Sequence, residues 1–234
     1  MGLASTNSDL QFFTVMNLST CIKICGLTRE ADVDAAVEQG VSAIGFVQYP
    51  KSPRFISPER ASELARRLPA FVTPVLLFVN ADLQTISKAL ELVPGAWLQF
   101  HGDESPEFCS ETAQTLRASW IRAVRIPGGD SATPFDLLKY AKEYKLAQAL
   151  LLDAHVQEYG GGGKAFNWSH ITQNVNAHLV LSGGLTTANV ASGIAHFKTL
   201  GLSLGVDISS GVEIDKGIKD HQKIKEFVSA VRNA

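Results

Sequence analysis

A single-domain α/β fold, a (βα)8 barrel of the TIM type, is the architecture that this sequence predicts, on three observations. Short apolar, β-branched runs alternate with longer amphipathic stretches about every 25 residues. Eight such runs follow residue 20, the number that closes a small parallel barrel. Polar side chains or glycines stand at or just past the end of nearly every run, where the loops of such a barrel surround one shared mouth. A doubly wound open sheet has the same alternation, so the placement of the polar residues carries the choice.

The runs are Cys21–Cys25, Ser42–Val47, Val72–Val79, Ala96–Phe100, Trp120–Ile126, Gln148–Asp153, His178–Ser182 and Leu202–Asp207. Helix starts are marked by Thr28 before READVDAAVEQG, and by Ser57 and Ser105, each followed by a proline at the first helical position. Helix ends fall near Gly40, Pro69 and Gly95. The groups at the predicted strand ends are Cys25, Arg54, Asn80, His101, Arg125, Asp153, Gly183 with Gly184, and Asp207 with Ser209. Any one of them is an ordinary loop residue; their convergence is the signal.

Composition narrows the function. The chain has 234 residues, 45% of them hydrophobic, which is enough for one large core. With 21 basic and 23 acidic side chains the formal net charge is -2, and no long block of one sign points to a nucleic acid or membrane partner. A small-molecule ligand is expected. Cys21, Cys25 and Cys109 cannot all pair and form neither a disulfide framework nor a zinc-ligand spacing. Residues 1–20 contain an apolar patch from Phe12 to Met16 without a basic region before it, and no later segment has about 18 uninterrupted apolar residues. A cytoplasmic protein is expected, with residues 1–20 an N-terminal extension of unknown role and 21–234 the barrel domain. No long exposed apolar stripe forces association, so a monomer is favoured over a homodimer.

Four segments carry chemistry. In LLLDAHVQEYGGGGKAFNW (150–168) a buried run ends in Asp153 and is followed by Gly160, Gly161, Gly162 and Gly163. An acid at a strand mouth beside a flexible loop suits catalysis and closure over a ligand, although four glycines alone also describe a linker. LSGGL (181–185) and DISSG (207–211) place Gly183, Gly184, Ser209, Ser210 and Gly211 where backbone N–H groups approach an anion, which points to a phosphorylated sugar. In KICG the period of two puts Cys21, Lys23 and Cys25 on one face, taken as the barrel interior. Lys23 then needs an inward acid and would favour a thiolate at Cys25, which is either a reactive thiol or a small core residue.

The segments KICG (23–26), GFVQYPKSPRFIS (45–57), LQFHGDE (98–104), LLLDAHVQEYGGGGKAFNW, LSGGL and VDISSGVE (206–213) together resemble the phosphoribosylanthranilate isomerase family, in that family's order and over essentially all of the chain from residue 21. The resemblance implies a cofactor-free and metal-free Amadori rearrangement. It takes N-(5-phosphoribosyl)anthranilate to 1-(2-carboxyphenylamino)-1-deoxyribulose 5-phosphate, a step of tryptophan biosynthesis. It implies Asp153 as general acid, with a pKa raised by burial, and Cys25 as general base acting as a thiolate. Arg54 matches the family's arginine for the anthranilate carboxylate, against the alternative of an exposed loop arginine. Asp207 matches an aspartate near the ribose or is the partner of Lys23, and His101 makes either a polar contact or a structural one. Gly163, Ala165, Asn167 and Phe100 depart from the family's commoner residues without removing a proposed catalytic group.

Two rivals share the phosphate cradle. Ribulose-phosphate epimerases and the histidine-pathway isomerase place acids, or acids with a metal, where this chain has Cys25. A non-catalytic phosphosugar-binding barrel would lack the acid, the base or the cradle, all of which stand in this sequence.

Overall fold

The computed structural model describes residues 20–127, 135–154, 171 and 175–234. Eight parallel strands close on themselves in chain order: β1 (Cys21–Cys25), β2 (Ala43–Val47), β3 (Thr73–Phe78), β4 (Trp97–Phe100), β5 (Trp120–Ile126), β6 (Ala149–Ala154), β7 (Leu179–Leu181) and β8 (Leu204–Ile208). β8 pairs with β1, with Lys23 opposite Asp207, so the sheet is a barrel and not an open layer. Each strand lies on its predicted run.

The helices among the described residues are α1 (Glu30–Glu38), α2 (Pro58–Ala65), α3 (Leu83–Leu92), α4 (Pro106–Leu116), α5 (Leu137–Glu143), α6 (Val190–Phe197) and α7 (His221–Arg232). Ser57 and Ser105 cap α2 and α4 as predicted, accepting from the N–H groups of Arg60 and Phe108, with Pro58 and Pro106 just inside. Thr28 does not cap α1. Arg29 occupies that position without a side-chain cap, and the Thr28 hydroxyl instead donates to the Gly217 carbonyl at 2.8 Å. That carbonyl lies just before β10 (Ile218–Lys219), which forms a hairpin with β9 (Glu213–Asp215) after the barrel closes. None of these helices is long and apolar enough to cross a membrane.

Alternation along each strand sorts the side chains into two cores. Ile24, Phe46, Leu76, Phe100, Val124, Leu152 and Val206 point outward and are buried in the large cluster shared with the helices. The other parity fills the barrel. Val75, Ile121, Ala123 and Leu151, with Ala43, Trp97, Ala149 and Val180 against them, form an apolar plug. Cys25, Val47 and Leu77 form a smaller cluster two residues further along their strands. On β4, β6, β7 and β8 the inside positions turn polar towards the carboxyl ends, at Gln99, Asp153, Ser182 and Asp207, while on β1 Lys23 lies just before Cys25.

Candidate active site

The register that closes the barrel also builds its polar floor. Lys23 and Asp207 face each other across β1 and β8 and form an ion pair of 2.8 Å, with both side chains about 7% exposed. Of the two readings for Asp207, partnership with Lys23 is the one that this geometry displays. Burial pulls the Lys23 ammonium down, but Asp207 and Cys25 outweigh it and hold the pKa above the ordinary lysine value. Burial pushes the Cys25 thiol up; Lys23 and Lys219 pull it back, Asp207 adds to the push, and the net shift is upward. Lys23 favours the thiolate, as expected, but the burial that places Cys25 inside the barrel outweighs it.

Room for this pair comes from β2. A methyl group on Gly45, the register partner of Cys25, would sit 2.7 Å from the Cys25 sulfur and 3.0 Å from the Lys23 ammonium. Gly45→Ala is expected to cost about 1–3 kcal/mol through overpacking, read as a lower urea midpoint.

Arg54 lies past β2 and is buried, at 7% exposure, which excludes the exposed loop arginine that the local sequence allowed. Its Nε and Nη2 donate to the two oxygens of Glu213, each at 2.7 Å. Lys219, itself 1% exposed, donates to the same Glu213 Oε1 at 2.8 Å and to the Ser209 carbonyl at 3.0 Å. Burial pushes the Glu213 carboxyl up, but the Arg54 and Lys219 cations outweigh it and keep its pKa below the usual glutamate value. Two buried cations share one carboxylate. The excess positive charge sits beside the loop after β8, where an anion would neutralise it.

Asp153 ends the inward row of β6, and its Oδ2 lies 3.0 Å from His101 Nε2. The other ring nitrogen of His101 is 3.2 Å from the Gln99 amide nitrogen. His101 is thus bonded through both ring nitrogens, to Gln99 and to Asp153. Asp153 and His101 are partly exposed, at 24% and 19% of their side chains, so both can be reached from the mouth. Asn80 and Arg125 have a different part. Asn80 bonds to Asp103, and its backbone N–H donates to Glu104 at 2.7 Å, while Arg125 pairs with Asp103. These contacts tie the loops after β3, β4 and β5 to one another.

The two glycine segments also meet. Gly183 and Gly184 have φ of 68° and 69°, a left-handed conformation that a side chain would strain. The Asn189 side chain holds this turn by accepting from the Thr186 N–H and donating to the Gly184 carbonyl. A side chain at Gly211 would collide with the Leu185 carbonyl, so Gly211 lets the loop after β8 lie against the loop after β7. Ser210 opens a 3-10 turn, Ser210–Val212. The Ser209 hydroxyl takes a bond from Lys219 at 3.3 Å. Gly160, Gly161, Gly162 and Gly163 lie outside the described residues.

Gln99, Glu213, Lys219 and Gly45 complete the site and were not singled out from the sequence. Glu213 closes the VDISSGVE segment and Gln99 alternates inward with His101, so motif and period held a signal for both. Lys219 had none, because a lysine between Gly217 and Asp220 reads as solvent-exposed.

A closed barrel with an acid, a thiol and buried cations facing its carboxyl-terminal mouth is of the class of (βα)8 barrels whose working groups collect at that end. Comparison with known proteins is narrower. Residues 22–230 match the family model described as N-(5'-phosphoribosyl)anthranilate (PRA) isomerase, and the chain belongs to that family. The N-(5'-phosphoribosyl)anthranilate isomerase of Methylibium petroleiphilum is 52% identical over 217 residues, which cover 93% of this chain and 96% of that protein. The Dechloromonas aromatica protein of the same name is 51% identical, over 93% and 98%. The crystal structure of phosphoribosyl anthranilate isomerase from Thermotoga maritima superposes with a TM-score of 0.79 at 39% identity, over 92% of this chain and all of that one. A further isomerase, solved in complex with reduced 1-(o-carboxyphenylamino)-1-deoxyribulose 5-phosphate, superposes with a TM-score of 0.71 at 34% identity, again over 92% and 100%.

Proposed function

We propose that this barrel isomerises N-(5'-phosphoribosyl)anthranilate to 1-(2-carboxyphenylamino)-1-deoxyribulose 5-phosphate in tryptophan biosynthesis, with Asp153 as general acid and Cys25 as general base. The observation that carries the reading is the arrangement of one mouth. Asp153 and Cys25 are inward residues at the carboxyl ends of β6 and β1, and Arg54 and the two glycine loops supply anion sites beside them. Substrate and product have the same atoms and electrons, so the chemistry asks only for proton transfers.

Asp153 gives its proton to the furanose ring oxygen as the C1′–O bond breaks, and the anilino nitrogen lone pair forms the protonated imine. Cys25, as a thiolate, removes the proton on C2′, and the electron pair flows to the imine to give an enolamine. The enolamine takes a proton at C1′ while its C2′ hydroxyl gives one up, which leaves the ketone at C2′ and restores the proton count. Lys23, hydrogen-bonded to Cys25 and paired with Asp207, stabilises the thiolate as it forms. Glu213 takes the Nε and Nη2 side of Arg54 and leaves the Nη1 and Nη2 end as a second fork for the anthranilate carboxylate. The substrate phosphate is held by Gly183, Gly184, Ser209, Ser210 and Gly211. Residues 21–234 form the catalytic domain, and the enzyme works as a cytoplasmic monomer.

The test is the decay of anthranilate-type fluorescence when phosphoribosylanthranilate is generated in situ. Rapid decay with wild type is expected. Arg54→Lys, which loses the fork, is expected to raise KM about tenfold to a hundredfold, the worth of a charge-assisted bond of about 1.5–3 kcal/mol. Absence of decay together with tight binding of the reduced product would instead fit a binding protein without turnover.

A further inference from the structure

We propose that Gln99 is a positioning residue: it sets the tautomer of His101, and through it the oxygen of Asp153 that carries the acid proton. The inference rests on Asp153 being the acid. Gln99 is fully buried, and its register partners on β3 and β5 are Leu77 and Ile121, which also face the barrel interior. It is the residue at which the apolar plug of β4, begun by Trp97, turns polar.

The geometry is a three-member chain. Gln99 Nε2 lies 3.2 Å from His101 Nδ1, and His101 Nε2 lies 3.0 Å from Asp153 Oδ2. An amide N–H can only donate, so His101 Nδ1 must accept, and a neutral ring then carries its proton on Nε2. That N–H points at Asp153 Oδ2 and makes it the acceptor oxygen of the carboxyl group. The acid proton is left to Oδ1, the oxygen that His101 does not occupy, and is free to pass to the ring oxygen of the substrate. The opposite orientation of the amide would reverse each assignment. The ring proton would sit on Nδ1, Nε2 would become an acceptor, and the Asp153 proton would be held against the imidazole instead of being offered to the substrate.

A second observation favours a role beyond packing. Among the described residues Gln99 Oε1, a buried oxygen, has no hydrogen-bond partner, a standing cost that a methionine of similar size would avoid. The amide is therefore poorly explained by packing and well explained by the single bond that its nitrogen makes. Nothing else on the inner face of β4 can perform that task, since Trp97 lies two residues further from the mouth.

Long-range 1H–15N correlation spectra of the full-length, 15N-labelled protein test the proposal, with the His101 ring assigned through the loss of its signals in His101→Asn. The expected result is a neutral ring with the proton on Nε2. A proton on Nδ1, or on both nitrogens, in the resting enzyme overturns the proposal whatever the kinetics. Gln99→Glu presents only acceptor oxygens and is expected to move the ring proton to Nδ1 and to lower kcat about tenfold to a hundredfold with KM within about twofold. Gln99→Met removes the donor and is expected to lower kcat in the same direction. Unchanged kcat in both variants overturns the proposal, as does a lowered kcat with the wild-type tautomer retained, which would mean a structural role. Full activity in Asp153→Asn would instead sink the acid assignment, and the tautomer spectrum would still report on the Gln99–His101 bond.

Discussion

Asp153→Asn is expected to lower kcat by about 10²–10⁴, the usual worth of a positioned general acid, with little change in KM. Asparagine keeps the shape of the side chain and can meet His101 Nε2, which lies 3.0 Å from Asp153 Oδ2, but it has no proton to give at neutral pH. Cys25→Ala is expected to lose a similar factor by removing the base. The two losses are also expected to fall far short of multiplying in the double variant, because acid and base serve one rearrangement and neither is useful alone. Stopped-flow fluorescence on the four proteins measures this directly. Equal activity in Cys25→Ala and wild type would leave Cys25 as a core residue. The pH profile adds a sign. Burial holds the Cys25 thiol above its ordinary value despite Lys23 and Lys219, so the thiolate fraction in the free enzyme is small at neutrality. The kcat/KM is therefore expected to rise with pH on the alkaline side of neutral, and this rise should vanish in Cys25→Ala. Lys23→Met removes the nearest stabilising cation and is expected to move the rise to higher pH.

Much of this molecule could be read in its sequence because barrels are built from local patterns. Eight β-branched runs became eight strands, and the parity of KICG placed Lys23 and Cys25 inside. The serine–proline pairs at 57–58 and 105–106 started helices where expected. Thr28 failed for a reason that no local pattern contains: its hydroxyl partner is Gly217, 189 residues away. The site divides in the same way. Asp153, Cys25 and Asp207 stand on strands and His101 one residue past β4, where period and strand end locate a side chain. Arg54 and Glu213 stand 159 residues apart, and only barrel closure brings them together. The direction of the Cys25 shift was also illegible, since it depends on how burial weighs against Lys23 together with Asp207 and Lys219, which distant parts of the chain supply. Asn80 and Arg125 show the limit of the strand-end argument: a polar residue at a mouth can be spent on joining loops.

Glu213→Gln is expected to be the most destabilising single change in the site, at about 3–5 kcal/mol, because it leaves two buried cations with a neutral partner between them. Arg54 and Lys219 both donate to Glu213 Oε1, at 2.7 Å and 2.8 Å, and the carboxylate is what lets them lie together. The amide can still accept hydrogen bonds on one side, but its NH2 group would face a cation on the other. Denaturant melts should show a lower midpoint at an unchanged slope. The pH dependence follows from the lowered pKa of Glu213 in the folded protein. A carboxylate whose folded pKa is depressed stabilises the fold fully above its unfolded value, about 4.3, and loses that stabilisation as pH falls through the folded value. The wild type is therefore expected to lose stability in mild acid by an amount that is missing in Glu213→Gln. Function should suffer separately. Glu213 aims the Arg54 fork, and Lys219 ties the same carboxylate to the Ser209 carbonyl in the loop after β8, proposed to hold phosphate. KM is expected to rise more than kcat falls, since both ends of the substrate would lose their anchors while Asp153 and Cys25 stay in place. Added phosphate should raise the denaturation midpoint of Glu213→Gln less than that of wild type, because the Ser209 loop proposed to bind it is no longer tied through Lys219 to a carboxylate. If Glu213→Gln melts like wild type, the two cations are not relying on the carboxylate, and the buried network does not couple the carboxylate clamp to the phosphate cradle.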